Sequence, residues 1–255
     1  MLTKLLQTID SLREGIAIEP THQRSMTIGV PSIDDAIGGG LACGLHEWFG
    51  IAGAHANFKG RSLPIEIPVY LARRVRQTRD TAPWVIWIGR RCFPYPHLLA
   101  DERDQDQSLF NHAVFVDAET PSDRLWSIEQ AMDSPVIGVV VADGSRFNMA
   151  ATRRIQLRAQ THGTFVFVGR PLAELSELSA AQTRWLIRYE RSHACGRALF
   201  VNPRWRVKLL RCKGMRSLAE GNGWVLERDR ATRVLRLSAE VAHSAIDDQT
   251  ARQSA

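Results

Sequence analysis

The residues most capable of chemistry follow the apolar run Leu45–Phe49 and read Gly50-Ile51-Ala52-Gly53-Ala54-His55-Ala56-Asn57. A glycine-rich turn after a buried strand is where a nucleoside triphosphate is cradled. The working pattern is G-x-x-x-x-G-K-[ST]: backbone N–H groups face the phosphates, the lysine neutralises the β/γ charge and the hydroxyl holds Mg²⁺. Here His55 takes the place of the second glycine, Ala56 that of the lysine and Asn57 that of the hydroxyl residue. Lys59 and Ser62 lie nearby at the wrong spacing; a remodelled loop in which Lys59 or Arg61 contacts a nucleotide is the counter-reading. The run Val139–Ala142 closed by Asp143 has the form of the strand whose carboxylate holds Mg²⁺ through water. An aspartate after a buried strand serves equally as a turn or cap residue. With the lysine and hydroxyl missing, the turn reading of Asp143 is preferred. Gly50, Gly53 and Asp143 therefore mark a vestigial nucleotide site, with no catalytic residue and no cofactor expected; bound ATP is the alternative.

Other constellations are weaker. His46 and Glu47 adjoin on a strand, so they point to opposite faces and do not share a substrate atom. Asp117 and Glu119 follow Val116 at a strand end where ligands bind in parallel sheets, but without a partner base they read as a turn first and a site second. His162 and His193 read as surface histidines. The cysteines Cys43, Cys92, Cys195 and Cys212 contain no CxxC pair and no histidine at finger spacing. They indicate reduced thiols in a cytoplasmic protein, with neither zinc nor disulfides.

Charge is unevenly placed. The 255 residues carry a net charge of +6. Residues 151–216 hold 14 Lys+Arg against three acids, leaving the remainder at −5. Within this block Arg204, Arg206 and Lys208 alternate along one strand face, and Arg211 and Lys213 continue toward the loop. Phosphate contacts of that number give salt-dependent DNA affinity, whereas Lys/Arg on an edge strand also protects against aggregation. Both readings stand; the first makes these five residues candidates for DNA or partner contact.

The positioning elements follow from periodicity. Leu2, Leu5, Leu6, Ile9, Leu12 and Ile16 predict an amphipathic helix. Met26–Val30 is expected to be extended and Ile33–Ile37 helical, ended by Gly38-Gly39-Gly40. Strands are expected at 45–49, 84–88, 113–116, 136–142 and 164–168, with helices near 66–78, 122–132 and 149–160. Short apolar runs alternating with amphipathic helices predict an α/β fold, a mainly parallel sheet covered on both faces. After about residue 183 the period becomes two, predicting antiparallel strands that extend the sheet and include Trp224–Glu227 and Arg233–Leu237. Pro64 and Pro68 are expected to disturb the start of the helix near 66, because an interior proline costs about 3 kcal/mol. The divisions are an N-terminal helix and linker (1–24), a core domain (25–240) and a flexible tail (241–255). No apolar run reaches the length of a membrane span, and the N-terminus lacks the unbroken apolar stretch of a secretory signal.

The order Ser32-Ile33-Asp34, Gly38-Gly39-Gly40-Leu41, Gly44 and a strand ending in Gly50 resembles the entry to the nucleotide-binding core of RecA-type recombinases. The wording GGGLACGLHEWFG, with RWRVKLLRCKG and GWVLERD near the end, is closer still to the ImuA family, which is related to the SulA group. The resemblance spans about residues 25–238 and implies a RecA-like P-loop-type core. RecA-like ATPases also place a glutamate just after the second core strand; here Gly89-Arg90-Arg91 follows Ile88. The resemblance implies a non-catalytic accessory factor in damage-induced, error-prone translesion DNA synthesis (SOS mutagenesis). The implied partners are an ImuB-like protein, an error-prone C-family DNA polymerase, RecA and single-stranded DNA. The rival is a DNA-dependent ATPase of the recombinase group with an atypical phosphate loop.

Overall fold

A computed structural model describes residues 25–50, 65–78, 83–100, 108–192, 202–215, 223–229, 232 and 234–238. The expected N-terminal helix, the tail, Gly53 and the rest of the loop through Pro64 lie outside the described residues. The order is β1 (Ser25–Met26), α1 (Pro31–Ala36), β2 (Leu41–Ala42), β3 (Gly44–Gly50), α2 (Glu66–Gln77), β4 (Trp84–Ile88), α3 (Pro96–Leu99), β5 (Ala113–Val116), α4 (Pro121–Met132), β6 (Ile137–Asp143), α5 (Met149–His162), β7 (Phe165–Pro171), β8 (Thr183–Glu190), β9 (Arg204–Cys212), β10 (Trp224–Arg228) and β11 (Leu235–Leu237).

Strands β3 to β11 form one nine-stranded sheet in the order β11-β10-β9-β8-β3-β7-β6-β4-β5. β3 is central, bonded in parallel to β7 on one side and to β8 on the other. The first strand of the period-two region is thus still parallel; antiparallel pairing begins at β9 and continues through β10 and β11. Apolar runs in β4, β6 and β7 are buried on both sides because helices cover both faces. Trp48, Val85, Trp87, Val141 and Phe167 pack with α2 on one face, and Trp185, Trp205 and Val207 extend that core across β8 and β9. Leu45, Ile86, Val140 and Val168 pack with Ile128 of α4 and Ile155 of α5 on the other.

Local chemistry sets the ends. Thr120 caps α4 by accepting from the Asp123 N–H at 3.1 Å, and Asn148 caps α5 through Ala151 N–H at 2.9 Å. Pro68 is the third residue of α2, which is intact from Glu66 to Gln77. The expected disturbance at Pro68 does not occur, because the first-turn N–H that proline lacks has no helical partner in any sequence. The expected extended piece Met26–Val30 shortens to the pair Ser25–Met26 against Leu41–Ala42. There the carboxylate of Asp34 takes over, accepting from the N–H groups of Ile28 at 2.6 Å and Gly29 at 3.0 Å. Gly40 has φ +148°, and a Cβ there would lie 2.5 Å from the Met26 carbonyl oxygen. The glycine turn thus lets β2 approach β1. Among the described residues no helix is long and apolar enough to cross a membrane.

Candidate functional site

At the carboxyl ends of β4 to β7 lies a cleft of about 460 Å³, the position where open α/β sheets bind ligands. Gly89, Arg90 and Arg91 enter it after β4, Asp117 and Glu119 after β5, and Asp143, Ser145 and Arg146 from the end of β6. Gly89 has φ +87°, and a Cβ there would come within 3.1 Å of both Arg124 Cδ and Asp143 Cβ. The glycine lets strand β4 end directly against the Asp143 side chain.

Asp143 is 4% exposed. Its Oδ1 accepts from the Ser145 N–H at 2.9 Å, an aspartate turn. Its Oδ2 faces two guanidiniums, Arg91 Nε at 3.8 Å and Arg124 Nη1 at 4.0 Å. Arg124, also buried, donates through Nη2 to the Ser145 carbonyl oxygen at 2.9 Å and through Nη1 to the Glu119 carbonyl. The carboxylate is consequently committed to its own loop and two cations. A thiol beside it, Cys92, is pushed well above its ordinary pKa, first by burial and then by the Asp143 charge. Asp117 is paired with Arg90.

A second network leads from the rim to the centre of the sheet. Arg146, with φ +66°, has its N–H held by Glu174 Oε1 at 2.9 Å. Glu174 Oε2 accepts from Arg170 Nη2 at 2.8 Å, and Arg170 Nη1 reaches Glu47 Oε1 at 2.8 Å. Ser179 Oγ donates to the same oxygen at 2.8 Å, and Arg184 Nε donates to Glu47 Oε2 at 2.8 Å. The two guanidiniums lie over the Phe49 ring, 5.8 and 4.8 Å from its centroid. Burial alone would lower the Arg170 pKa, but Glu47 and Glu174 more than offset it. The signal for this network is a charged residue, Glu47, inside an apolar strand, where only paired charge is tolerated.

His46 points to the opposite face, as alternation requires. Trp185 Nε1 donates to Thr183 Oγ1 at 2.7 Å, and Thr183 Oγ1 and the Ala42 carbonyl lie 2.8 and 3.0 Å from the two His46 ring nitrogens. Burial lowers its pKa from 6.5 to about 4, and the Ala42 bond opposes that shift. The neutral ring is a core residue, stacked on Phe165 and tilted against Phe167.

Gly50 ends β3 between Pro171 of β7 and Ile187 of β8, beside the cleft wall that Pro171 contributes. The basic residues of β9 divide. Arg204 is 5% exposed, donating to the Arg191 carbonyl at 3.2 Å and to Ser238 Oγ, with Glu227 at 3.8 Å. Arg206 pairs with Glu190 at 2.9 Å, and Arg211 donates to the carbonyls of Ser179 and Ala181 at 2.8 and 3.2 Å. Lys208 and Lys213 are exposed. Among the described residues no three His, Cys, Asp or Glu side chains are grouped to hold a metal. Cys43, Cys92 and Cys212 are buried and form no disulfide among the described residues.

No family model matches the chain. It is similar to "Protein ImuA" from two strains of Caulobacter vibrioides, 28% identical over an alignment of 219 positions that covers 81% of this chain and 84% of each relative.

Proposed function

We propose that this ImuA-like chain is a non-catalytic accessory factor in damage-induced, error-prone translesion DNA synthesis, built on a RecA-like core and acting by protein–protein and DNA contacts. The observation that carries the non-catalytic half is the state of Asp143. In a P-loop ATPase the corresponding carboxylate holds Mg²⁺ through water. Here one oxygen is bonded to the Ser145 N–H and the other faces Arg91 and Arg124, so the negative charge a cation would need is already countered. The absence of a phosphate-loop lysine, Ala56 standing in its place, points the same way.

Support for the RecA-like core comes from the strand order. The strand that opens the core, β3, sits between β7 and β8, the chain crosses from it to β4 beyond two later strands, and an antiparallel end follows. Such a core would serve as a rigid scaffold. Its partners on this reading are an ImuB-like protein, an error-prone C-family polymerase and RecA, with single-stranded DNA meeting the lysines of β9 and the turn after it.

Equilibrium ATP binding and an ATPase assay with and without single-stranded DNA test the first half; no turnover is expected. Turnover abolished by Asp143→Ala would overturn it in favour of a DNA-dependent ATPase. Pull-down from DNA-damaged cells tests the second half: recovery of a translesion polymerase is expected, and recovery of neither polymerase nor ImuB-like protein would overturn it.

A further inference from the structure

A second cleft, of about 740 Å³, opens beside α4 and shares only Asp117 and Ala118 with the arginine-rich one. Its apolar wall is Val116, Ala118, Leu125 and Trp126. Its charge is opposite to that of the molecule. The chain carries +6 overall, yet Asp117, Asp123 and Glu129 line this cleft with Arg154, and even with Arg90 paired to Asp117 from outside the lining one acid is left in excess.

Two of these carboxylates are incompletely bonded. Glu129 is 5% exposed, and its Oε2 accepts from Arg154 Nη2 at 2.7 Å. Its Oε1 is buried with no hydrogen-bond partner among the described residues, and the same is true of Asp117 Oδ1. An unmade hydrogen bond on a buried carboxylate is destabilising, and a donor brought by a ligand removes that penalty. The ligand has to match both halves of the cleft: a cationic donor for the carboxylates, and an apolar body for Leu125 and the Trp126 ring, whose face also attracts a cation. The volume is that of a site taking a drug-sized ligand, several side chains rather than one. Arg154, bonded to Glu129 Oε2 but with a side chain 61% exposed, is the part of the wall that an incoming cation would have to displace.

We propose that this cleft binds a partner polypeptide through a lysine or arginine flanked by apolar residues, the cationic head on Glu129 and Asp117 and the flanking side chains on Leu125 and Trp126. The inference does not rest on the accessory-factor reading: of the arginine-rich cleft it uses Asp117 and not Asp143, and it uses nothing of the basic strand.

The test uses the full chain labelled with ¹⁵N-indole, the Trp126 signal being assigned from Trp126→Phe. The probes are the peptide acetyl-Leu-Arg-Leu-Leu-amide, its Leu-Glu-Leu-Leu counterpart and n-butylguanidinium. The arginine peptide is expected to shift the Trp126 resonance saturably and the glutamate peptide to leave it unmoved. Glu129→Gln is expected to weaken binding by about tenfold or more, the loss of a charge-assisted bond. Ser122→Arg, at an exposed position of the cleft wall, should weaken it comparably by placing a resident guanidinium there without disturbing the core. No saturable shift at Trp126, or undiminished affinity in both variants, overturns the proposal. Binding of n-butylguanidinium as tightly as the peptide would assign the cleft to a small organic cation and overturn the polypeptide source.

Discussion

The carboxylate of Glu47 and the guanidinium of Arg170 meet at 2.8 Å with neither side chain exposed to solvent. One lies on the central strand and the other at the end of its neighbour. Removing one partner of a buried pair strands the other charge, so Glu47→Ala should lose about 3–5 kcal/mol in urea denaturation. Glu174 still holds Arg170, which places the loss toward the lower end. Glu47→Leu combined with Arg170→Met should lose less than the sum of the single changes, because no uncompensated ion then remains between those two positions.

His46 gives the fold a proton-linked weakness. Its folded pKa is depressed from 6.5 to about 4, so the unfolded chain takes up the proton first. Its contribution to stability is complete above about pH 6.5 and is lost as pH falls toward 4, about 3 kcal/mol in all. Urea midpoints measured from pH 7 to 4 should fall more steeply for the native sequence than for His46→Gln. Equal slopes would remove His46 as the cause.

Asp143 should behave as a structural residue. Asp143→Asn keeps an acceptor for the Ser145 N–H but uncovers Arg124, and about 1–3 kcal/mol of stability should be lost. Mg²⁺ titrated by calorimetry should give no heat attributable to Asp143 in either protein. A Mg²⁺ site that vanishes in Asp143→Asn would contradict the charge arrangement around it.

The basic residues of β9 separate by burial. Lys208→Ala and Lys213→Ala should each lower the slope of log affinity for single-stranded DNA against log salt by about 0.7 for each phosphate no longer neutralised. Arg204→Ala should leave that slope alone and instead cost stability, about 1–3 kcal/mol, since its guanidinium is spent on Arg191, Ser238 and Glu227. The measurement is fluorescence anisotropy at several salt concentrations beside thermal unfolding.

Two glycines of one turn should respond differently. Gly38 has φ +80° with open space around its missing Cβ, so Gly38→Ala should cost about 1 kcal/mol of backbone strain. Gly40→Ala would add a collision with the Met26 carbonyl and should cost more than Gly38→Ala, read from the same denaturation curves.

The sheet was legible because its strands are uninterrupted apolar runs: β4 and β5 fall at 84–88 and 113–116, as the sequence predicts. Partners were not legible. Alternation assigns Arg204 and Arg206 to one face, but the acids that occupy them, Glu227 and Glu190, come from β10 and β8 and depend on register. Pro68 reads as a helix breaker until the first turn is fixed at Glu66. Glu47 was visible as an acid on an apolar strand; that Arg170 and Arg184 converge on it is a consequence of β7 and β8 flanking β3.

That flanking has a temporal consequence. β3 ends at residue 50 and its two hydrogen-bonding neighbours begin at residues 165 and 183, while Glu47 waits for cations 123 and 137 positions downstream. At a synthesis rate of about 5–20 residues per second, Glu47 is made roughly 6–25 s before Arg170. For most of that interval a strand carrying Leu45, Trp48, Phe49 and an unpaired acid lacks both of its pairing neighbours, β7 and β8. The nascent chain is therefore most exposed to misassociation at its middle strand, and the closing event of folding is a long-range one, slow by the logic of contact order.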